Sequence, residues 1–161
     1  MAQQKADFGR QKRDAMRGEQ SEFDQRVLEL ARVTRVTKGG KRMRFRAAVL
    51  VGDKKGQVGF GLAKGADVSF AVNKAVRQAK KNLIKIPLVH QTIPHNIKEK
   101  FHAAVVLLQQ APQGSGIKAG GAVRAIMELA GVPNISAKIL RGKNKIAISR
   151  ATIQALQKLR K

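Results

Sequence analysis

Residues 38–51 read KGGKRMRFRAAVLV, and this stretch decides the first half of the fold. From Arg42 onward the residue types alternate, with Arg42, Arg44 and Arg46 on one side of an extended chain and apolar residues on the other. A period of two is the pattern of a β-strand with one buried face. The Gly39–Gly40 pair before it permits positive φ, which favours a tight hairpin loop. The stretch therefore predicts a hairpin whose second strand carries a row of guanidinium groups.

The segments on either side of this strand supply the rest of a small antiparallel sheet. Residues 26–36 mix Val and Leu with Arg and Thr, and residues 57–63 follow a Gly-Asp-Lys-Lys-Gly turn. Both segments are predicted as strands that pair with the first one. Gly59 and Gly61 lie inside the third strand, where glycine indicates the close approach of another backbone.

A helix is predicted between residues 66 and 83. Its apolar residues recur at helical spacing, while Lys74, Arg77 and Lys81 fall on the opposite side. Such a helix would cover the sheet with its apolar face and present a basic outer face. Three antiparallel strands and one helix make an α/β unit in residues 26–90.

The second half of the chain has its own alternation of elements. The prediction is strand, helix, strand and helix, at residues 103–108, 122–130, 135–140 and from about Ser149. Pro87 and Pro94 mark the break before it, so we place a second domain of βαβα order at residues 91–161. The whole chain is therefore predicted to be an α+β protein of two domains.

Residues 1–25 differ in composition from the rest. They hold five basic and five acidic residues and only Phe8, Met16 and Phe23 as sizeable apolar residues. A segment with so little apolar surface cannot form a core alone. We predict a flexible N-terminal tail.

Net charge indicates the class of partner. The chain carries 33 Lys and Arg against 10 Asp and Glu, a formal charge of +23, and all of this excess lies after residue 25. Such an excess indicates a polyanionic partner. A membrane surface is disfavoured because the charge is spread over the folded part and Trp is absent. With no Cys, no apolar run of about 18 residues and no apolar segment after Met1, the sequence predicts a cytoplasmic protein.

Two loops are candidates for contact with nucleic acid. In residues 38–46 five of nine residues are basic, a density suited to gripping phosphate oxygens, although a solvated charged loop remains the alternative. Residues 113–121 form a glycine loop between a buried strand and a helix, an arrangement that binds anions. RNA phosphate, a plain tight turn and a free nucleotide all remain open for this loop, although its spacing matches neither common nucleotide-binding pattern.

Catalytic groups are sparse. The acids of the folded part are dispersed, and His90, His95 and His102 match no metal-ligand spacing. We therefore predict no catalytic residue, no metal, no cofactor and no small-molecule substrate. The protein is predicted to be a structural component of a ribonucleoprotein and not an enzyme.

Several short motifs occur together in order. They are RVTRVTKGG at 32–40, VGD at 51–53, GFG at 59–61, KKNL at 80–83, GSG at 114–116, AGG at 119–121, ELAG at 128–131 and RAT at 150–152. Over residues 26–161 the chain thus closely resembles the bacterial family of the fifth small-subunit ribosomal protein. The resemblance implies an N-terminal domain similar to double-stranded-RNA-binding domains and a C-terminal βαβα domain with a left-handed crossover.

The resemblance also implies partners and a place in the cell. These are the small-subunit rRNA, mRNA near the entry channel, and small-subunit ribosomal proteins four and eight, in the cytoplasmic small ribosomal subunit. It implies a role in subunit assembly and decoding accuracy. The alternative is a free-standing regulator that binds double-stranded RNA, which would leave the second domain without a role.

The RNA-binding residues follow from charge, loop position and this resemblance taken together. They are Thr34, Arg35, Thr37, Lys38, Gly39, Gly40, Lys41, Arg42, Arg44, Arg46, Lys54, Lys55, Gly59, Gly61, Lys64, Gly114, Ser115, Gly116, Lys118, Gly120, Gly121, Lys143 and Asn144.

Overall fold

The computed structural model describes residues 23–160. The elements in this range are β1 (Asp24–Thr37), β2 (Gly40–Gly52), β3 (Gln57–Gly65), α1 (Val68–Lys81), β4 (Leu83–Lys85), β5 (Ile97–Phe101), β6 (Ala104–Gln109), β7 (Ile117–Lys118), α2 (Gly121–Ala130), β8 (Ile135–Arg141) and α3 (Lys145–Gln157). Residues 1–22 of the predicted tail lie outside the described residues, and β1 begins two residues before the predicted start at Arg26. Within the described range, no helix combines the length and apolar character needed to cross a membrane.

The first sheet is antiparallel with the order β1-β2-β3-β4. The three predicted strands are confirmed, and the short fourth strand was not predicted. Residues 82 and 83 had been placed in the helix, but α1 ends at Lys81, where the N–H of Asn82 donates to the carbonyl of Ala79. The chain then pairs Leu83 with Gly59 on the open edge of β3.

Helix α1 packs closely on one face of this sheet. Ala71, Ala75 and Ala79 are fully buried at the contact. A methyl group on Gly61 would lie 2.8 Å from the Ala79 nitrogen and would overlap the Ala75 carbonyl oxygen. The close backbone approach that Gly59 and Gly61 predicted is therefore the approach of α1 to β3.

The second sheet has the order β5-β6-β8-β7, with only β7 and β8 parallel. Alternate residues of β6, namely Ala104, Val106 and Leu108, are buried in the core with residues of α2 and α3. The single strand predicted at the start of this domain is instead the second strand of a hairpin. The turn between β5 and β6 is short, and His102 adopts φ of 50° in it.

The last helix starts earlier than predicted. We predicted a start at about Ser149, but α3 begins at Lys145. The side chain of Asn144 accepts a hydrogen bond of 3.0 Å from the N–H of Ile146, which caps the helix. The left-handed crossover implied by the resemblance stays a prediction.

The two halves of the chain share one core. Ala48, Leu50 and Phe60, on the sheet face opposite α1, are buried together with Val123 and Ile126 of α2. Residues 47–51 of β2 are therefore buried on both faces, whereas the alternating pattern predicted only one buried face.

Backbone hydrogen bonds strengthen this junction. The N–H groups of Lys54 and Gly56, in the turn between β2 and β3, donate to the carbonyls of Leu129 and Ala130 at 2.9 Å each. The C-terminal end of α2 thus finds partners for two of its last carbonyl groups in the first half of the chain. The two sheets are held in a fixed relation.

Candidate nucleic-acid interface

The strands β1 and β2 extend beyond the rest of the first sheet. Strand β3 ends at Gly65, opposite Phe45, so residues 33–44 pair only with one another in a two-stranded ribbon. We call this segment the basic ribbon. Its five residue pairs span roughly 15 Å at about 3.4 Å per residue. A two-residue loop, Lys38 and Gly39, closes its tip, and the Thr37 hydroxyl donates to the Gly40 carbonyl at 3.1 Å.

One face of the ribbon and its base carries a row of cationic side chains. Directly paired residues of an antiparallel sheet lie on the same face. Arg35 is opposite Arg42, and Arg46 is opposite Lys64 on β3, with Arg44 between the two pairs. We call these five residues the arginine row. The sequence prediction of guanidinium groups along one face of β2 is therefore confirmed, and residues of β1 and β3 extend the row.

Four members of the arginine row, all except Arg46, line a shallow cavity of about 210 Å³. Its walls are Val33, Thr34, Arg35, Arg42, Arg44 and Lys64. Like charges placed directly across a sheet are destabilising, as Arg35 and Arg42 are. An anion bound between them would relieve this repulsion.

Among residues 23–160 the row takes part in one ion pair, which lies at its base. Arg46 forms an ion pair of 3.0 Å with Glu29, and both side chains are about 30% exposed, at 31% and 29%. Arg35, Arg42, Arg44 and Lys64 take part in none of the ion pairs found within residues 23–160. Four cations of the row are thus available to a polyanion.

The glycine loop at residues 113–121 precedes α2. Gly114 and Gly116 have φ of +83° and +69°, and a Cβ at either would meet no atom within 4 Å, so backbone conformation explains the glycines. The N–H of Gly116 donates to the Asn134 side chain at 3.2 Å. Gly120 stands at the N-cap and offers no side-chain hydrogen bond to the helix. The loop is a tight turn that leaves the start of α2 without a side-chain cap, which is compatible with phosphate contact.

Two family models match these two halves. The model for ribosomal protein S5, N-terminal domain, matches residues 23–87, and the model for ribosomal protein S5, C-terminal domain, matches residues 99–161. The chain belongs to the ribosomal protein S5 family. The resemblance carried by the sequence motifs and the predicted α+β fold of two domains are both confirmed. Membership in the S5 family supports an RNA-binding role in translation within the small ribosomal subunit, and this family is structural rather than catalytic.

The structure does not bring all predicted RNA-binding residues of this S5 family member together. Lys54 and Lys55 lie at the other end of β2, roughly 35–40 Å from the ribbon tip along the strand. Lys54 also pairs with Asp24 at 2.5 Å. Gly59 and Gly61 are buried, with α1 against the face that a side chain would occupy, so they have a structural explanation within the S5 chain.

The remaining predicted residues lie in the C-terminal half. Lys118 is exposed on β7 just before α2, and Lys143 is exposed in the loop between β8 and α3. The side-chain oxygen of Asn144 is engaged in capping α3. Ser115 donates its hydroxyl to the Pro112 carbonyl at 2.8 Å. Of the predicted residues in this half, Lys118 and Lys143 are the charged ones, and neither takes part in the ion pairs found within residues 23–160.

The sequence analysis predicted the apolar side of β2 as a buried face, but along the basic ribbon this face is exposed. Val36 and Met43 are 72% and 54% exposed, and their pairing partners place both opposite the arginine row. The alternation from residue 33 to residue 44 contained this signal, because Val36 and Met43 fall between the arginines. The S5 chain therefore has a ribbon with a cationic face and a partly apolar face, both open.

Among the described residues, no group of three His, Asp or Glu side chains is placed to hold a metal ion.

Proposed function

We propose that the chain is a structural constituent of the small ribosomal subunit that grips small-subunit rRNA with the basic ribbon. One observation carries this proposal. Arg35, Arg42 and Arg44 lie on one face of the protruding ribbon, Lys64 lies on the same face at its base, and none of the four takes part in the ion pairs found within residues 23–160. Guanidinium groups bind phosphate oxygens in a bidentate manner, so a row of them suits an RNA backbone.

The shape of the ribbon supports contact on more than one side. No strand of the described residues pairs with its tip besides β1 and β2 themselves, and Val36 and Met43 are exposed on the face away from the arginine row. Apolar side chains can contact bases or riboses while cations contact phosphates. We infer that the ribbon inserts between RNA segments.

Because the ribbon projects from a rigid body, we infer that the protein holds RNA segments in position. The shared core around Leu50 and the hydrogen bonds from the turn at residues 53–56 join the two halves. The basic ribbon and the loop before α2 therefore keep a constant separation. A protein built this way holds two RNA contacts in fixed relation, which suits a folded ribonucleoprotein.

Salt-dependent binding to small-subunit rRNA tests the proposal. The variant Arg35→Gln, Arg42→Gln, Arg44→Gln removes three charges from the arginine row without burying or exposing core residues. If each arginine contacts a phosphate, the slope of log affinity against log salt falls by about 2–3, since each contact contributes roughly 0.7–0.9. Filter binding over a series of salt concentrations measures the slope.

The matched control removes three charges elsewhere. Lys98, Lys100 and Lys138 are exposed on the second sheet, and their replacement by Gln lowers the net charge by the same amount. We expect a smaller change in slope for this control. Equal slopes for the wild type and the ribbon variant would remove the ribbon from the interface.

We also propose the finer roles that belong with this family resemblance. They are subunit assembly, contacts with small-subunit ribosomal proteins four and eight, contact with mRNA at the entry channel, and an influence on decoding accuracy. Substitutions along residues 98–106 in a strain with a misreading reporter test the last role. An unchanged misreading level would count against it.

A further inference from the structure

Helix α1 carries a second cationic surface. Phe70, Lys74, Arg77 and Lys81 follow one another at intervals of four, three and four residues. At about 100° per residue they form one stripe along the helix, roughly 16 Å long at 1.5 Å per residue. The stripe lies on the side of the helix opposite the buried residues Ala71, Ala75 and Ala79. We call these four residues the helix stripe.

The helix stripe is exposed and has no acidic partner within the part of the chain that the structure describes. All four residues are exposed, and Phe70 is 71% exposed. Helix α1 contains no Asp or Glu, and the ion pairs within residues 23–160 include none of the three cations. Asp67, the acid just before the helix, is engaged as its cap with the Val68 N–H at 2.7 Å.

From this arrangement we propose that the helix stripe is a second RNA-binding surface, and that the N-terminal half bridges two separate RNA segments. The inference rests on the proposed RNA-binding function and extends it. The cations bind phosphates, and Phe70 stacks on an unpaired base, which is how proteins commonly use an exposed aromatic ring beside basic residues on RNA.

The sheet separates this surface from the arginine row. Helix α1 packs on the face of β2 that carries Ala47, Val49 and Val51, whereas the arginine row follows the other face of the same strand. A helix is roughly 10–12 Å across with its side chains. The two surfaces face in opposite directions with at least this thickness between them, so one straight duplex cannot lie on both.

Counting the RNA molecules bound per chain tests the bridge. The probe is a short RNA hairpin with an unpaired loop, used as one batch with a donor dye and one with an acceptor dye. The full chain at moderate salt is expected to bring the two dyes together in a complex of one chain and two hairpins, with the mass checked by sedimentation. The variant Lys74→Gln, Arg77→Gln, Lys81→Gln is expected to bind one hairpin fewer and to lose the energy transfer.

Phe70→Ala separates stacking from charge. The expected result is a loss of roughly tenfold in affinity for the second hairpin when its loop is unpaired, and little change for a blunt duplex. Because Phe70 is exposed and Gln is a good helix former, far-UV circular dichroism should show both variants folded.

The outcomes distinguish this inference from the proposed function. If the stripe variant binds as many hairpins as the wild type while the ribbon variant loses affinity, the second surface is refuted and the ribbon function stands. If neither variant changes RNA binding, both fail. Equal losses in the stripe variant and in the control at Lys98, Lys100 and Lys138 would assign the effect to bulk charge and overturn the stripe. The inference would also be overturned if the stripe variant kept its RNA binding and instead lost binding to anionic vesicles or to an acidic protein.

Discussion

Replacing Gly61 by Ala should separate α1 from the sheet. The new methyl group would lie 2.8 Å from the Ala79 nitrogen and would overlap the Ala75 carbonyl oxygen. Ordinary carbon contacts are about 3.5–4.0 Å, so the helix must move by roughly 1 Å. A gap of that size forfeits a quarter to a half of the contact energy along the fully buried Ala71, Ala75 and Ala79. Overpacking costs about 1–3 kcal/mol, and we expect the upper value because the obstructing atoms belong to backbone and cannot change rotamer.

Urea unfolding followed by far-UV circular dichroism measures this loss. Gly39→Ala is the control, because a Cβ at Gly39 meets no atom within 4 Å and its φ is outside the positive region. We expect the control to remain within about 0.5 kcal/mol of wild type, as surface substitutions usually do. A free energy of unfolding for Gly61→Ala that is equally close to wild type would refute the helix-contact explanation of this glycine.

Three other substitutions test separate parts of the fold. Leu50→Ala should destabilise the chain by about 2–5 kcal/mol. Because the core is shared, hydrogen exchange should show weaker amide protection in both halves of the chain. Loss of protection in the first half alone would contradict a shared core. The pKa of Glu128 is lowered, chiefly by the hydrogen bond from Arg124 and then by the hydrogen bond from Arg26. The contribution of Glu128 to stability is therefore present at neutral pH and is lost as the pH falls through that lowered pKa. The melting temperatures of wild type and Glu128→Gln should therefore differ at neutral pH and converge in acid, and a constant difference would argue against the ion pairs. Asn144→Ala should cost about 1 kcal/mol in thermal unfolding through loss of the α3 cap, whereas no loss would show that the cap is dispensable.

The sequence predicted those strands and helices whose pattern of apolar and polar residues matches the buried and exposed faces that they have in the fold. Alternation identified β2, and helical spacing identified Ala75 and Ala79 on the buried face of α1, although it did not single out Ala71, which is also buried there. The helix predicted at residues 122–130 ends at Ala130 as expected, and Gly131, which follows it, adopts φ of 73°. In each case the partner surface lies nearby in sequence or the backbone itself imposes the requirement.

Other parts depend on contacts that a single strand or helix does not reveal. The second buried face of β2 exists because α2 packs on Leu50, more than seventy residues away in the chain. Strands β4 and β7 have three and two residues, too few to establish a period. The early start of α3 depends on the cap by Asn144, which we had predicted as an RNA-binding residue and not as a helix cap.

In the candidate interface, too, some residues follow from the local sequence pattern and others are brought in only by the fold. The arginines of β2 follow from alternation alone, whereas Lys64 joins the row only through the register of β3 with β2. Gly59 and Gly61, expected at the RNA from the family resemblance, contact α1 in the fold. The glycine requirement at these positions could be predicted, but which neighbour imposes it could not.

Sedimentation of a cell lysate through sucrose gradients at moderate and at high salt tests the central claim most directly. The protein is detected in every fraction, beside the ribbon variant Arg35→Gln, Arg42→Gln, Arg44→Gln. The account predicts that the wild type stays with the small subunits through the high-salt wash and that the variant is released at lower salt. Wild-type protein found at the top of the gradient, free of small subunits, would contradict a structural role in the subunit and favour a free-standing RNA-binding regulator.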